Sequence, residues 1–304
     1  MSTIYLDNGI KITTYPGPPV ELDPMTASRE ELVRAGMPAR PTHPDALACY
    51  ERFFTSTKDR FHYIEPTFKP MPGPPGHAPI TADMAKSTNN WSGVSVRATD
   101  GDSIKSVSAQ WEVPDVIMTG DEGTSWENAA SWIGIDGTPD GGEFVPLRAG
   151  VVSTITEDGT TVFFAFAGWD PAAGAQITNL EVKAKDTVIV SICSAFGSNS
   201  ESATIHFAIQ HGAATSFQLS APSGSVLLGA NAEFVVTKQN LFGIPVGFPN
   251  YGSVRFVDAT ALTVGNTALP TQNGDTFDLV VAGGRTVSKG VGLPNNLVQC
   301  TYLP

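Results

Sequence analysis

The chain has 304 residues, only 16% of them charged, and a formal net charge of −12. This length allows one large β domain with an appendage, or two modest domains. The charge argues against a nucleic-acid partner because no basic stripe exists to neutralise phosphates. No stretch is long and apolar enough to span a membrane, so a membrane partner is not expected either.

The N-terminus has no apolar segment behind a basic start, so the chain as given carries no secretory signal peptide. This suits a cytoplasmic protein or a piece of a secreted one, and the sequence leaves the oligomeric state open. The three cysteines, Cys49, Cys193 and Cys300, have no metal-ligand spacing, so neither a metal nor a cofactor is expected. A Cys193–Cys300 bridge stays open as an alternative to free thiols.

Residues 1–64 are expected to form an N-terminal arm with two short helices. Ser28-Arg29-Glu30-Glu31 reads as a capping box that opens a helix ending at Gly36. His43-Pro44-Asp45 is expected to start a second helix that continues to about Phe54. This second helix has one apolar face, which needs the β domain to pack against and consists of Leu47, Tyr50 and Phe54.

Residues 65–88 form a proline-rich connector, for which the composition predicts an extended, polyproline-like path. Residues 89–304 follow as the β domain. There, short Val-, Thr- and Phe-rich runs alternate with turn signals, which favours an all-β protein of two packed antiparallel sheets. The predicted strands are Trp91–Arg97, Ile104–Val113, Ala130–Ile135, Gly150–Thr156, Thr161–Trp169, Thr187–Ala195, Ala203–Gln210, Phe217–Ala221, Ala232–Thr237, Val254–Ala259 and Asp278–Val281.

Several motifs in this domain occur in the order found in one peptidase family. They are Asn90-Trp91-Ser92-Gly93, Gln110-Trp111-Glu112-Val113-Pro114, Ser131-Trp132-Ile133-Gly134-Ile135-Asp136-Gly137 and Asn231-Ala232-Glu233-Phe234-Val235-Val236. Over roughly residues 89–260 the chain resembles the glutamic peptidase (eqolisin) family. The resemblance implies a concanavalin A-like β-sandwich with a substrate groove on its concave face, and acid endopeptidase activity.

The family's catalytic residues are a Gln and a Glu. The Glu acts on a water as general base, and the Gln amide orients that water and donates to the oxyanion. In the matching motifs of this chain, Arg148 takes the Gln position and Thr237 takes the Glu position. A further groove motif matches Phe166-Ala167-Gly168-Trp169-Asp170-Pro171, where Gly168 replaces a Glu. The resemblance also assigns Trp132, Asp136 and Trp169 to the groove.

These exchanges change the chemistry that the site offers. Arg148 still donates hydrogen bonds, but Thr237 cannot act as a base near acid or neutral pH. Glu233 is a candidate substitute because it lies four residues earlier on the same face of a strand. That spacing puts it ~13 Å from Thr237, beyond the hydrogen-bond reach of a water at the old site.

Each of these residues also has a structural reading. Trp132 fits a core, Asp136 a turn before Gly137, and Thr237 or Glu233 an ordinary strand. Arg148 fits an ion pair with Asp136 or Glu143 that fills the old site.

Three hypotheses follow, and whether the chain is an enzyme stays open. The first is a non-peptidolytic relative whose groove binds a peptide, glycan or small ligand. The second is an acid endopeptidase or other hydrolase with a rearranged site around Arg148, Asp136 and Glu233. The third is a structural or assembly protein whose arm reaches a neighbouring subunit, with the variant that the arm blocks the groove.

Overall fold

The computed structural model of the chain describes residues 1–304 apart from 20, 45–46, 49, 52–53, 55–61, 72–86, 89–90, 100, 121–122, 139–145, 171–173, 195–196, 239–245 and 282. The strands are β1 Ser2–Tyr5, β2 Lys11–Thr14, β3 His62–Tyr63, β4 Phe68–Pro70, β5 Ser87–Thr88, β6 Trp91–Arg97, β7 Ile104–Glu112, β8 Glu127–Ile135, β9 Leu147–Ile155, β10 Thr161–Trp169, β11 Ala175–Ile177, β12 Thr187–Ser194, β13 Ser202–Ile209, β14 Ala213–Ser220, β15 Asn231–Thr237, β16 Ser253–Thr263, β17 Ala268–Leu269, β18 Asp275–Val280, β19 Thr286–Leu293 and β20 Leu297–Tyr302. The helix α1 spans Arg29–Arg34, and Thr271–Asn273 forms a 3-10 turn.

The strands form two packed sheets, which confirms the predicted all-β sandwich. Sheet A has the order β1-β2-β14-β13-β12-β7-β16-β17. Sheet B has the order β4-β11-β10-β9-β8-β15-β6-β18 and continues through β19 and β20. Strand β16 joins the two, because residues 253–256 pair with β20 and residues 257–263 pair with β7. All of these pairs are antiparallel.

The main core lies between the sheets and arises from the period-2 alternation of the strands. In β12, Val188, Val190 and Ile192 are fully buried, whereas the residues between them are only half-buried. Trp111 of sheet A meets Phe256 with ring centroids 5.1 Å apart. Burial of side chains of this size stabilises the fold by about 1.5–3 kcal/mol each.

Sheet B is buried on both faces along β8, β9 and β15. Its outer face carries a second apolar cluster, separate from the main core, which we call the outer cluster. The outer cluster consists of Trp91, Ala130, Trp132, Val152, Phe166 and Val235, with Met71, Phe164 and Phe277 packed against it. Trp132, one of the groove residues implied by the resemblance, belongs to this face.

The N-terminal arm packs on its own sandwich. The predicted capping box is confirmed, since Ser28 and Glu31 exchange hydrogen bonds at the start of α1. The described residues of the predicted second helix, Pro44, Leu47, Ala48, Tyr50, Glu51 and Phe54, are helical. The sequence analysis missed the first 14 residues, where β1 and β2 form a hairpin that extends sheet A at β14.

The connector contributes β4, which pairs with β11 at the edge of sheet B. Its residues 72–86 lie outside the described part of the chain, as do Cys49 and Glu143. Cys193 and Cys300 are free thiols, so the alternative of a bridge between them is not realised. Within the described residues, no helix has the length and hydropathy needed to cross a membrane.

Candidate functional site

One row of four residues crosses the outer face of sheet B at the expected site. In register, Glu233 of β15 lies opposite Gly134 of β8, Gly134 opposite Arg148 of β9, and Arg148 opposite Gly168 of β10. A Cβ on Gly134 would lie 2.7 Å from Cζ3 of Trp132, so the indole covers Gly134. The Trp132 ring therefore stands over the position between Glu233 and Arg148.

Arg148 is held in a buried ion pair. Its Nη2 lies 3.2 Å from Oδ1 of Asp170, and the two side chains are only 10% and 3% exposed. The guanidinium carbon is 5.9 Å from the centroid of the Trp132 ring, within cation–π range. A Cβ on Gly168 would lie 3.1 Å from Cα of Gly174, which is tight, and 3.9 Å from Nε of Arg148, which is an ordinary van der Waals distance. Burial raises the pKa of Asp170, and the charge of Arg148 opposes that rise.

Asp170 is the partner that sequence reasoning missed. The expected partners were Asp136 and Glu143; the carboxylate of Asp136 binds elsewhere, and Glu143 lies outside the described residues. Asp170 lies two residues after Gly168, so period-2 alternation puts both on one face of the chain. The β9–β10 register, had it been known, would have revealed this partner.

Thr237 is tied to Trp132. The indole Nε1 donates to Thr237 Oγ1 at 3.0 Å, and that hydroxyl in turn donates to the carbonyl of Ala130 at 3.4 Å. Thr237 is 1% exposed and Trp132 is 3% exposed. Both bonds lock the indole in place, and neither partner supplies a base.

Asp136 has a structural task. Its carboxylate accepts the backbone N–H groups of Leu228 at 2.6 Å, Gly229 at 3.0 Å and Ala230 at 2.8 Å. Its backbone has φ 64°, a conformation that Asp adopts more readily than most residues. Burial raises the pKa of Asp136, although hydrogen bonds from the backbone of residues 228–231 lower it. The carboxylate therefore fixes the 228–230 segment next to the start of β15, and its role in ligand binding stays a prediction.

Glu233 lies in the same cross-strand row as Arg148. The spacing between Glu233 and Thr237 along the strand does not reveal this placement. Glu233 is fully buried. Its Oε2 accepts the N–H of Gly137 at 2.9 Å, and its Oε1 accepts the hydroxyls of Thr138 at 2.9 Å and Ser95 at 3.3 Å. Burial raises the pKa of Glu233 to about 8, although these bonds lower it. The side chain is thus a neutral acid in acidic and neutral solution.

We expect Glu233 to make the protein less stable as the pH rises from about 4.5 to about 8. In that window the folded chain keeps a proton that the unfolded chain releases, because the folded pKa is the higher one. Glu233→Gln mimics the protonated acid and should remove a few kcal/mol of this pH dependence. Urea unfolding between pH 4 and 9 measures it, with Glu112→Gln, at the exposed last residue of β7, as control. Equal pH slopes for Glu233→Gln and the wild type would contradict the assignment.

The register does not bring every predicted residue to the groove. Gly168 and Trp169 are neighbours on β10, so they point to opposite faces. Trp169 is 1% exposed and belongs to the main core between the sheets. Its assignment to the groove is therefore corrected by the alternation of the strand. Trp132, Arg148, Gly168, Glu233 and Thr237 do share the outer face of sheet B.

The arm does not lie over this face in the described structure. Strands β2 and β3 attach it to β14 of sheet A. Of the described residues of the arm and the connector, only Met71, directly after β4, packs against the outer cluster. Among the described residues no group of three or more His, Cys, Asp or Glu could hold a metal ion.

The two-sheet sandwich with this row on its outer face defines a protein of the glutamic-peptidase class. The profile of the Peptidase A4 family matches residues 89–302, and the chain belongs to that family. Aspergillopepsin-2 of Aspergillus niger is 29% identical over 199 residues, covering 60% of this chain and 67% of the relative.

Two solved structures share the fold. The crystal structure of scytalido-glutamic peptidase with a transition state analog inhibitor superposes with a TM-score of 0.57 at 22% identity, covering 71% of this chain and 98% of that one. The structure of aspergilloglutamic peptidase from Aspergillus niger gives a TM-score of 0.50 at 25% identity, covering 58% of this chain and 99% of that one. The sandwich is thus shared with peptidases of known structure.

Proposed function

We propose that this chain is a member of the peptidase A4 family that does not hydrolyse peptide bonds, and that its groove binds a peptide, glycan or small ligand instead. The observation that carries the proposal is the Arg148–Asp170 ion pair at 3.2 Å, stacked on Trp132. The motif resemblance implies a Gln at position 148 and a Glu at position 237 in the glutamic peptidases. In this chain, position 148 is an arginine paired with Asp170. Position 237 is a threonine whose hydroxyl already accepts a hydrogen bond from Trp132.

Burial supports the loss of hydrolysis as well. Trp132, Arg148 and Thr237 are all less than 10% exposed. A scissile bond needs a base within direct or one-water reach, and the described neighbours of Thr237 offer an indole and a carbonyl. A groove ligand must therefore bind on the solvent side of Trp132, Arg148 and Thr237 or displace part of the outer cluster.

The test is digestion of a reduced, denatured protein between pH 2 and 7, followed by mass spectrometry. The wild type should give no new peptides, whereas a commercial acid endopeptidase under the same conditions should. The double variant Arg148→Met/Thr237→Val serves as the matched control. Cleavage by the wild type that this double variant lacks would overturn the proposal.

A rearranged hydrolase is the second candidate, because Glu233 lies in the row of Arg148 and burial raises its pKa to about 8. Raised carboxyl pKa values are common at catalytic sites. In the digestion test, cleavage lost in Glu233→Gln would favour this candidate. The assembly hypothesis is weakened, since the described arm strands pair with β14 of the same chain.

A further inference from the structure

A second feature lies on the opposite side of the molecule, between the N-terminal arm and the outer face of sheet A. The arm attaches to β14 through β2 and β3 at one edge of this sheet. Toward the other edge, Asn266 Nδ2 donates to Thr42 Oγ1 at 3.0 Å, and Lys105 Nζ donates to Asn266 Oδ1 at 2.7 Å. The arm thus spans the sheet and leaves a partly open cavity of about 2000 Å³ beneath it.

This space exceeds the roughly 300–1,000 Å³ of an ordinary small-molecule site. It is independent of the proposed groove, because the groove face belongs to sheet B. We call it the arm cavity.

The floor of the arm cavity carries one continuous line of polar side chains across five strands. The register aligns Thr260 with Ser108, Ser108 with Ser191, Ser191 with His206, and His206 with Ser216. All five residues line the cavity. We call this line the polar row.

His206 is the residue in the polar row that needs a partner. It is 8% exposed, and its Nδ1 lies 2.9 Å from Ser216 Oγ. Its Nε2 is buried and meets no hydrogen-bonding group among the described residues. A buried polar atom left without a partner is costly. Burial lowers the pKa of His206 to about 3, so the ring is neutral.

A neutral imidazole restricts the chemistry of the partner. If Nδ1 donates to Ser216, Nε2 accepts; if Nδ1 accepts, Nε2 donates. A hydroxyl group satisfies either tautomer because it both donates and accepts. Two other hydroxyls of the polar row already have a protein contact, since Thr260 Oγ1 donates to the carbonyl of Asp258 at 3.0 Å and Ser191 Oγ lies 3.5 Å from Cys193 Sγ. Each hydroxyl oxygen has two lone pairs and can accept a further hydrogen bond from a ligand.

The roof of the arm cavity is largely apolar. Met25, Met37 and Phe54 of the arm line it, and the hydroxyl of Tyr50 is already bonded to the carbonyls of Pro24 and Pro38, each at 3.3 Å. The charges are nearly balanced, since three Lys or Arg and four Asp or Glu are among the described lining residues. The occupant should therefore be uncharged, with a hydroxylated side and an apolar side.

We propose that the arm cavity binds a neutral polyhydroxylated ligand of the oligosaccharide class, with its hydroxyl groups along the polar row and its C–H faces against the arm. A sugar ring offers both surfaces in one molecule. An extended peptide fits less well, because it bonds through its backbone to the edge of a sheet. This floor is the face of a sheet, whose backbone groups already pair between strands.

Titration calorimetry with maltotriose, cellotriose and N-acetylated chitotriose tests the proposal. The wild type should bind at least one of them. His206→Phe, which keeps a ring of similar shape but removes Nε2, should weaken that binding about tenfold, the effect of one hydrogen bond. Ser191→Leu, which fills the middle of the polar row, should weaken it at least as much. Thr204→Val, on the same strand and face as His206 but outside the cavity, should leave it within twofold.

Circular dichroism melts establish that each variant folds. If His206→Phe does not fold, Ser191→Leu decides the outcome. The proposal is overturned if no trisaccharide binds the wild type, in which case water alone satisfies Nε2. It is equally overturned if both cavity variants bind as tightly as Thr204→Val. None of these outcomes bears on peptide hydrolysis, so the two proposals fail separately.

Discussion

Arg148→Met is expected to lower the free energy of unfolding by about 3–5 kcal/mol, the usual cost of breaking a buried ion pair from one side. Methionine keeps the apolar stem that packs near Trp132 but leaves Asp170 as a buried carboxyl without its cation. Because Arg148 is what lowers the pKa of Asp170 against burial, the variant should favour the protonated acid and lose most stability at high pH. Urea unfolding at pH 5 and pH 8 measures both effects.

The matched control removes both charges. Arg148→Met/Asp170→Asn should recover most of the lost stability, since an apolar or neutral replacement of a buried pair is often close to neutral. A double-mutant cycle with Asp170→Asn alone then gives the coupling between the two side chains. A loss below about 1 kcal/mol in Arg148→Met would mean that the pair does not fill the old site, and the main support for the non-peptidolytic proposal would disappear.

Asp136→Ala is expected to cost more than about 3 kcal/mol, because each hydrogen bond to a charged group contributes about 1.5–3 kcal/mol. The change leaves the N–H groups of Leu228, Gly229 and Ala230 without their acceptor. It also puts alanine at φ 64°, which is strained. Chemical unfolding gives the total loss, and hydrogen exchange should show these three amides losing protection first.

A backbone control separates the two contributions to that loss. His211 has the same φ of 64° but is exposed, so His211→Ala reports the strain alone. Asp136→Asn, which keeps a residue tolerant of this conformation and one acceptor oxygen, should lie between the two. Equal losses in Asp136→Ala and His211→Ala would show that the three amide bonds contribute nothing to stability, and the structural role of Asp136 would be contradicted.

These two experiments address the same functional question from different sides. A rearranged hydrolase would need the side chains of Arg148 and Asp136 to be free of other protein partners. In the structure Arg148 is paired with Asp170 beside Trp132, and the carboxylate of Asp136 accepts three backbone N–H groups. Glu233 is the acidic residue in the row of Arg148, and its surroundings keep it protonated up to about pH 8.

Local pattern was enough to locate much of the sheet structure. The predicted strands Trp91–Arg97 and Thr161–Trp169 match β6 and β10 end to end. Alternation and β-branched residues are local properties, so they are readable without knowing any partner strand. The strands that were missed are short ones such as β4, those of the arm such as β1 and β2, and the C-terminal hairpin of β19 and β20.

In the candidate site, too, local pattern predicted some features and strand pairing decided the others. The motif order identified the family and directed attention to Arg148, Thr237 and Trp132. The bonding partners of these residues depended on register, which joins residues far apart in the chain. Gly134 separates Glu233 from Arg148 in one row, although 99 positions of sequence separate Gly134 from Glu233. Asp170 reaches Arg148 because the β9–β10 register puts Gly168 directly opposite Arg148, and Asp170 follows Gly168 by two positions.

The sequence by itself determined the sandwich, its family and the face of most strands, because side-chain periodicity and motif order are written along the chain. Only the tertiary structure decided that Arg148 pairs with Asp170, that Trp169 lies in the core, and that the arm crosses sheet A above His206. The physical reason is that charge pairing, burial and enclosure are properties of groups brought together from distant segments. A one-residue change of register would exchange the faces and give different partners to each of them.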